Sequence, residues 1–327
     1  MEVVYLRTTG SLVRRRGERL EVWKGNRKLG DLRPFQLDRL VLVGSVQLTS
    51  QAITLLLDRG IDVVFLTGGG RLRGSLVSAE SRNVFLRLAQ YERFKDEAFR
   101  LELARQVVTA KITGQKRVLA RHERNHPERI DAGARDELDR LLGEAETAST
   151  VDTLRGVEGA ASGVYFGQFG KMLASVGFPG RKKRPSTDPA NSLLSLGYVL
   201  VGNELGSLLE ARGFDPAIGF LHGVRYGRKS LALDVVEPFR QPLVDRLTLR
   251  ILNLRQLGPD DFEGGEKGLR LREGPIKLYF ELYEEQLRAP SEGEGSPSWR
   301  QRLTDQVEAL RDMVMGGEVT PLYTWSG

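Results

Sequence analysis

The sequence predicts an α+β protein, with a small N-terminal β-rich domain at residues 1–79 and a larger all-α domain at residues 80–327. Two observations predict this division. Up to about residue 79, short β-branched or apolar runs alternate with Gly, Asn and Asp, which is typical of strands and turns. From about residue 80, apolar residues recur at three- and four-residue steps between charges, which is the helical period. The length of 327 residues is sufficient for two domains and a sizeable core.

In the first part, Gly25-Asn26 and Gly68-Gly69-Gly70 are predicted as turns, and one helix is predicted over Gln51–Asp58 with Ser50 as its N-cap. The predicted strands are Val3–Thr8, Leu12–Arg15, Arg19–Trp23, Leu40–Val43, Val63–Leu66 and Leu72–Val77.

In the second part, Ser149 with Asp152 resembles a capping box that opens a helix through Glu158 towards Leu173. Asp188 before Pro189 predicts another helix start, and Pro238 and Pro242 predict a kink or a division. The other predicted helices are Asn83–Lys111, Gln115–Arg124, Ala134–Ala145, Pro189–Arg212, Leu231–Leu254, Pro275–Leu287 and Arg300–Met315.

The composition limits the classes of function. No apolar run reaches the roughly 18 residues that indicate a membrane helix, and the first ten residues lack the layout of a signal peptide. We therefore expect a cytoplasmic protein with no membrane partner. The absence of cysteine excludes disulfides, thiolate nucleophiles and cysteine-ligated metal clusters within this chain.

The chain is moderately basic, with 49 Lys and Arg against 43 Asp and Glu. The basic residues cluster at 14–16, at 181–184 and at 225–229. Such clusters attract polyanions, although each also fits an ordinary solvated surface.

Four residues suggest a catalytic site: Glu158, His222, Asp234 and Glu237. Asp234 and Glu237 are three residues apart, so on a helix they share a face, and that face is otherwise apolar. With a Glu from another helix and one His, they suit Mg²⁺ or Mn²⁺ better than a closed zinc site. In a basic chain, such a site suggests chemistry on phosphodiesters.

Each of these residues also permits a structural interpretation. Glu158 fits an exposed helix position, a single His is more often structural than a ligand, and Arg240 could neutralise the two acids as a salt bridge. His122 and His126 lie in a charged segment and are predicted at the surface.

Several segments, taken in order, resemble the CRISPR-associated integrase family that captures new spacers (the "Cas-one" family). They are RNVFLRLAQY, VEGAASGVYFGQF, RKKRPSTDPANSLLSLGYVLV, GFDPAIGFLHG, SLALDVVEPFRQPLVDR, and DDFEGG with KLYFELYEEQL. The resemblance is closest from about residue 82 to 287.

The resemblance implies that Glu158, His222 and Glu237 are metal ligands and that Asp234 is a supporting acid. It gives Tyr165, Arg184 and Tyr198 as weaker candidates for DNA contacts. Family members often carry Arg shortly after the metal-binding Glu, whereas this chain has Ser162-Gly163-Val164, so no DNA-contacting Arg is assigned there.

The resemblance also implies an activity in antiviral defence: the 3′-hydroxyl of a captured double-stranded DNA fragment attacks a phosphodiester at the leader end of a CRISPR repeat. The implied cofactor is Mg²⁺ or Mn²⁺. The implied assembly is a heterohexamer, in which two homodimers of this chain flank a dimer of a small second adaptation subunit. The β-rich domain would form the dimerisation and partner contacts. Some systems add an iron–sulfur trimming nuclease.

Two other classes of function stay open. One is a metal-dependent nuclease on branched DNA, with water as the nucleophile. The other is a catalytically silent DNA-binding scaffold, in which the acids pair with Arg240. The integrase is the favoured interpretation.

Overall fold

The computed structural model describes residues 2–68, 72–76, 83–174, 176–182, 185–264 and 268–327. The chain forms two compact units, the first made of residues 1–82 and 271–280 and the second of residues 83–270 and 281–327. The α+β fold class is confirmed, because strands dominate the N-terminal part and helices the remainder. The predicted boundary at 79 and 80 lies outside the described residues.

The first unit contains two four-stranded sheets. The strands are β1 (Glu2–Leu6), β2 (Ser11–Arg16), β3 (Arg19–Lys24), β4 (Arg27–Leu32), β5 (Leu37–Val43), β6 (Gln47–Leu48), β7 (Asp62–Leu66) and β8 (Leu72–Leu76). One sheet has the order β1-β5-β7-β8, with β8 antiparallel and the others parallel. The other has the order β4-β3-β2-β6. Helix α1 (Ser50–Asp58) buries Ala52, Leu55 and Leu56 in the core formed by these strands.

Three details of the first unit differ from the sequence prediction: the N-cap of α1, strand β4, and strand β6, which has only two residues and was not predicted. The N-cap of α1 is Thr49, whose hydroxyl accepts a hydrogen bond from the Ala52 N–H, so the prediction of Ser50 was wrong. Strand β4 was not predicted, because its residues are mostly exposed and include Gly30, which gives it neither a clear alternation nor β-branched residues. Val77 and the glycines at 69 and 70 lie outside the described residues.

The second unit is helical. Its helices are α2 (Val84–Lys95), α3 (Glu97–Glu123), α4 (Ala134–Thr147), α5 (Val151–Met172), α6 (Pro189–Arg212), α7 (Ser230–Phe239), α8 (Arg246–Asn253) and α10 (Trp299–Val314); α9 (Pro275–Arg288) begins in the first unit and ends in the second. Short strands β9 (Phe262–Glu263) and β10 (Arg270–Leu271) pair with each other.

Helix boundaries in this unit follow capping chemistry. Asp96 ends α2 and caps α3 by accepting hydrogen bonds from the Ala98 and Phe99 N–H groups, so the predicted helix at 83–111 is divided. Helix α3 then continues through the predicted gap before Gln115. Helix α5 is capped by Thr150, not by the predicted Ser149. The cap by Asp188 and the predicted helix end at Arg212 are confirmed, and Gly213 is the C-cap.

Helix α6 is, among the described residues, the one helix long and apolar enough to cross a membrane by length and composition. Two-thirds of its most apolar window is buried, which is typical of a core helix. Pro238 and Pro242 divide the next helical stretch, as predicted. A π-helical segment at residues 240–245 separates α7 from α8, because each proline removes a backbone N–H from the α-helical ladder.

Candidate active site

His222 is held in place by Asp234. One Asp234 carboxylate oxygen accepts a hydrogen bond from the Leu221 N–H, and the other accepts one from the His222 N–H, each at 3.0 Å. The second oxygen also lies 2.7 Å from His222 Nδ1. An ionised Asp234 keeps the proton on Nδ1, so the lone pair of Nε2 is available to bind another group. Asp234 is therefore a positioning residue for the imidazole.

Gly219 makes room for this arrangement. A Cβ at residue 219 would lie 2.7 Å from the Ser230 carbonyl carbon and 2.8 Å from Asp234 Oδ2. Neither group is the free end of a flexible side chain, since Ser230 begins α7 and Asp234 is hydrogen-bonded. Only glycine allows the His222 loop to pack this closely against α7.

Arginines also fix the backbone of the same loop. The carbonyl groups of residues 220, 221 and 222 each accept a hydrogen bond from a different guanidinium. The pairs are Arg100 Nε with Phe220 O at 3.0 Å, Arg155 Nε with Leu221 O at 2.7 Å, and Arg228 Nη2 with His222 O at 2.5 Å. Because α3, α5 and the loop itself supply these donors, the imidazole is anchored to the helical framework.

Glu158 and Glu237 come together across the side chain of Lys111. Glu158 lies on α5, Glu237 on α7 and Lys111 on α3. The Lys111 ammonium donates a hydrogen bond to Glu158 Oε1 and lies 2.7 Å from Glu237 Oε2. The side chains of Lys111 and Glu237 are 7% and 3% exposed, whereas that of Glu158 is 24% exposed, so the site opens on the Glu158 side.

Glu237 is ionised although it is buried. Burial alone would raise its pKa, but Arg240, Lys111 and His222 lower the pKa to about 2. Arg240 Nε lies 2.9 Å from Glu237 Oε2. Glu237 Oε2 therefore has two close cationic partners, Lys111 on α3 and Arg240 at the end of α7.

The three predicted metal ligands lie in one region. His222 Nε2 is 4.0 Å from Glu237 Oε1, and Lys111 connects Glu237 with Glu158. Within the part of the chain that the structure describes, however, no three acidic or histidine side chains enclose a cation-sized position as they stand. The Lys111 ammonium lies among the carboxylate oxygens that such a position would use.

Tyr165 and Tyr198, the two tyrosines predicted to contact DNA, lie next to Asp245 in the second unit. The Tyr198 hydroxyl donates to Asp245 Oδ1 at 2.5 Å, and the fully buried Tyr165 lies close enough for Asp245 to raise its pKa in addition to burial. Arg240 stacks on the Tyr198 ring, 4.4 Å from its centroid, and connects this cluster with Glu237. Tyr165 is fully buried in this structure. The contacts of Tyr165 and Tyr198 with DNA stay predictions.

Arg184, the third predicted DNA contact, lies outside the described residues. Its neighbour Arg181 is described: the guanidinium donates to Asn191 Oδ1 at 2.7 Å and lies 5.3 Å from the centre of the Tyr198 ring. Arg181 is thus engaged with α6.

Lys111 was not predicted from the sequence as a member of this site. A signal was present, because Lys111 lies in the buried stripe of α3, one turn after Val107 and one turn before Gln115, where an apolar residue is expected. A lysine at such a position needs an acidic partner. Arg100 and Arg155 carried no comparable signal, since their acceptors are backbone carbonyls far away in the sequence.

Comparison with known proteins identifies the family. The family model described as "CRISPR associated protein Cas1" matches residues 4–285. The chain belongs to the Cas1 family. Two relatives are each 33% identical and are named CRISPR-associated endonuclease Cas1. The one from Rhodospirillum rubrum aligns over 91% of this chain and 90% of its own length, and the one from Thermus thermophilus over 96% and 94%.

Solved structures agree with the fold. A Cas1 protein from Thermotoga maritima has a TM-score of 0.85 and 26% identity, covering 97% of this chain and 98% of that one. A casposase bound to an integration product has a TM-score of 0.86, covering 100% of this chain and 96% of that one. At 24% identity, the second likeness concerns the fold.

Some similar proteins carry other components of CRISPR systems. A relative from Geobacter sulfurreducens, named a Cas4 exonuclease/Cas1 endonuclease fusion, is 32% identical over 87% of this chain and 52% of its own length. A chain from a structure titled "Cas6-RT-Cas1--Cas2 complex" has a TM-score of 0.84 and 25% identity, covering 99% of this chain and 36% of that one.

Proposed function

We propose that this Cas1 protein is a metal-dependent DNA integrase that inserts captured DNA fragments into a CRISPR array by transesterification. The observation that carries the proposal is the convergence of Glu158, His222 and Glu237 from α5, the loop before α7, and α7. Family membership supports the coarser assignment to a CRISPR-associated endonuclease. The basic character of the chain supports a polyanionic substrate.

The donors fit Mg²⁺ or Mn²⁺. They comprise two carboxylates and one imidazole whose Nδ1 is engaged by Asp234, so that Nε2 faces Glu237. Oxygen ligands with a single nitrogen suit these cations. Glu237 Oε1 lies 4.0 Å from His222 Nε2, so these two candidate ligand atoms are already close together. We assign Glu158, His222 and Glu237 as the ligands and Asp234 as the residue that orients His222.

In the proposed reaction, the 3′-oxygen of the captured fragment forms a bond to a target phosphorus, and the bond from that phosphorus to the target strand's own 3′-oxygen breaks. The attacking hydroxyl loses one proton and the leaving oxygen gains one, so the number of phosphodiesters is unchanged. A divalent cation held by Glu158, His222 and Glu237 would supply charge stabilisation for the reacting phosphodiester. Glu158 and Glu237 hold negative charge at the site, and Asp234 fixes the imidazole.

The proposed partners are double-stranded DNA, as fragment and as leader–repeat target, a second copy of this chain, and a small second adaptation subunit in a heterohexamer. The similar chain in a complex titled with Cas2 supports the second subunit, and the relative fused to a Cas4 exonuclease supports cooperation with a trimming nuclease. Tyr165, Arg184 and Tyr198 stay candidates for DNA contacts.

The test uses a branched DNA that mimics a half-integrated product. The purified protein is incubated with it and Mn²⁺ or Mg²⁺, alongside Glu158→Gln and His222→Gln. We expect release of the branch with rejoining of the target strand, which EDTA and both substitutions abolish. Glu144→Gln is the matched control, because Glu144 is a surface residue of α4 paired with Arg140, and it should retain the activity.

Other outcomes favour the remaining functions. Metal-dependent cleavage without rejoining would assign a nuclease that uses water as the nucleophile. Tight DNA binding with no reaction, unaltered by either substitution, would assign a DNA-binding scaffold in which the acids serve as salt-bridge partners.

A further inference from the structure

The Lys111 ammonium lies between two of the candidate ligands. Its ammonium contacts Glu158 Oε1 and lies 2.7 Å from Glu237 Oε2. In the described part of the chain, these two carboxylates are the partners of the ammonium, and both belong to the candidate ligand set. Lys111 therefore satisfies the same oxygens as a bound metal would.

The charges in the pocket nearly balance without a metal. Glu158, Glu237 and Asp234 carry three negative charges, and Lys111 and Arg240 carry two positive charges. A divalent cation added to this set would leave an uncompensated positive charge in a mostly buried site, which is costly. Metal binding is therefore more favourable if one resident cation moves away.

Lys111 is better suited to move than Arg240. Arg240 is held on two sides, by Glu237 Oε2 and by the Tyr198 ring, 4.4 Å from its centroid. Lys111 has a flexible four-carbon stem and a compact ammonium, so rotation of its side chain releases both carboxylates without moving the backbone. The 24% exposure of the Glu158 side chain gives the ammonium a path towards solvent.

We propose that Lys111 is an internal counter-ion that holds Glu158 and Glu237 together before the metal arrives and that the divalent cation displaces. Lys111 then sets the metal affinity of the site by competing for its ligands. This inference rests on the proposed function, because it takes Glu158 and Glu237 as metal ligands. It adds a positioning residue that neither the sequence motifs nor the names of the similar proteins supply.

The first experiment measures Mn²⁺ binding by calorimetry in the full chain without DNA. Lys111→Met keeps the apolar stem and removes the charge. We expect Lys111→Met to bind Mn²⁺ about tenfold more tightly than the unmodified chain, since a positive competitor within contact distance is gone. The matched control is Lys116→Met, because Lys116 lies on the same helix and pairs with Asp139, which is half exposed. The control should bind Mn²⁺ as the unmodified chain does.

The second experiment measures thermal unfolding with EDTA and with saturating Mn²⁺. In EDTA, Lys111→Met should melt at a lower temperature than the unmodified chain, because two close carboxylates lose a counter-ion. Added Mn²⁺ should raise its melting temperature by more than it raises that of the unmodified chain. Tighter metal binding combined with lower stability without metal is not expected of a merely structural lysine.

A charge-conserving variant covers the case in which Lys111→Met fails to fold. The guanidinium of Lys111→Arg can hold both carboxylates with several donors, so we expect weaker Mn²⁺ binding than in the unmodified chain, with stability in EDTA retained. Unchanged or tighter binding by Lys111→Arg would overturn the inference.

The outcomes separate this inference from the proposed function. If the unmodified chain binds Mn²⁺ and Lys111→Met binds it equally or more weakly, the counter-ion role is wrong and the metal site stands. If neither protein binds Mn²⁺, the metal site itself is wrong. Binding by Lys111→Met alone would be the strongest support for displacement.

Discussion

Two buried glutamates, one in each unit, are ionised for similar reasons but have different surroundings. Glu21 lies on β3 with its side chain 3% exposed, and Glu237 lies on α7 with the same exposure. Hydrogen bonds from Lys28, Trp23 and Arg14 lower the pKa of Glu21 to about 2. Ion pairs with Arg240 and Lys111 overcome the effect of burial and lower the pKa of Glu237 to about 2.

The difference lies in how the oxygens are used. Arg14 and Trp23 donate to Glu21 Oε2, and Arg16 and Lys28 donate to Oε1, so both oxygens are fully hydrogen-bonded. Glu237 shares one of its cations, Lys111, with a second carboxylate, Glu158, and an imidazole lies 4.0 Å from its other oxygen. A depressed pKa is therefore common to both acids, and the neighbouring carboxylate and imidazole are what distinguish the candidate ligand.

The largest expected effect is the contrast between Glu237→Gln and Glu21→Gln. Loss of a ligand charge should lower the rate of branched-DNA resolution by on the order of a thousandfold or more, whereas Glu21→Gln should change the rate less than about twofold while lowering stability. Resolution rates and melting temperatures of both variants provide the measurement. A comparable loss of rate in Glu21→Gln would remove the basis of the comparison.

The next effect concerns Asp234, which acts through His222. Asp234→Asn keeps the shape but weakens control of the imidazole tautomer, so activity should fall about 10- to 100-fold, less than for Glu237→Gln. The rate should be followed together with Mn²⁺ affinity, which should weaken in parallel. Full activity in a folded Asp234→Asn protein would show that His222 needs no orienting acid.

A third buried acid, Asp245, differs from both glutamates because its pKa is raised and not lowered. Burial raises its pKa to about 6 from a usual value of 3.8, although Tyr198 and Tyr165 oppose the rise. At pH values between 3.8 and about 6, Asp245 is therefore protonated more often in the folded state than in the unfolded state. Its contribution to stability is therefore full at acid pH and falls as the pH rises through about 4 to 6.

Asp245→Asn removes this titration. Its free energy of unfolding should lack a fall on the order of 1–3 kcal/mol between pH 4 and 6 that the unmodified chain shows. Denaturant unfolding at several pH values measures the difference between the two proteins. Parallel pH profiles would mean that Asp245 is ionised throughout, as Glu237 is.

The smallest effect is expected for Arg16→Ala. The Arg16 side chain is 76% exposed, and Glu21 keeps its other three donors, so the loss of stability should be under about 0.5 kcal/mol. Denaturant unfolding should place it within error of the unmodified chain. A much larger loss would indicate that the pairs around Glu21 act cooperatively.

The sequence predicted most of the helices and strands because capping residues, prolines and apolar periods act locally. Where neighbouring residues offer the same chemistry, it failed by one position: Ser50 and Thr49, and likewise Ser149 and Thr150, are adjacent hydroxyl residues that both suit an N-cap. The association of residues 271–280 with the first unit depends on long-range packing, which local patterns do not contain.

For the candidate site, the sequence supplied the acids and the histidine but not their counter-ions. Asp234 and Glu237 share a helix, so their common face follows from their spacing. Lys111 is separated from Glu158 by 47 residues, and only the packing of α3 against α5 and α7 brings it between the acids. Charge pairs between distant helices become predictable only once the helix packing is known.

The anchoring of residues 220–222 has a consequence for the order in which the molecule opens. This loop has no regular secondary structure, yet its carbonyls are bonded to three arginines, and its Leu221 and His222 N–H groups are bonded to Asp234. These anchors come largely from separate helices, so the loop cannot detach without disturbing their packing. In hydrogen–deuterium exchange, the amides of Leu221 and His222 should therefore exchange as slowly as those of the core helices, through unfolding of the whole unit.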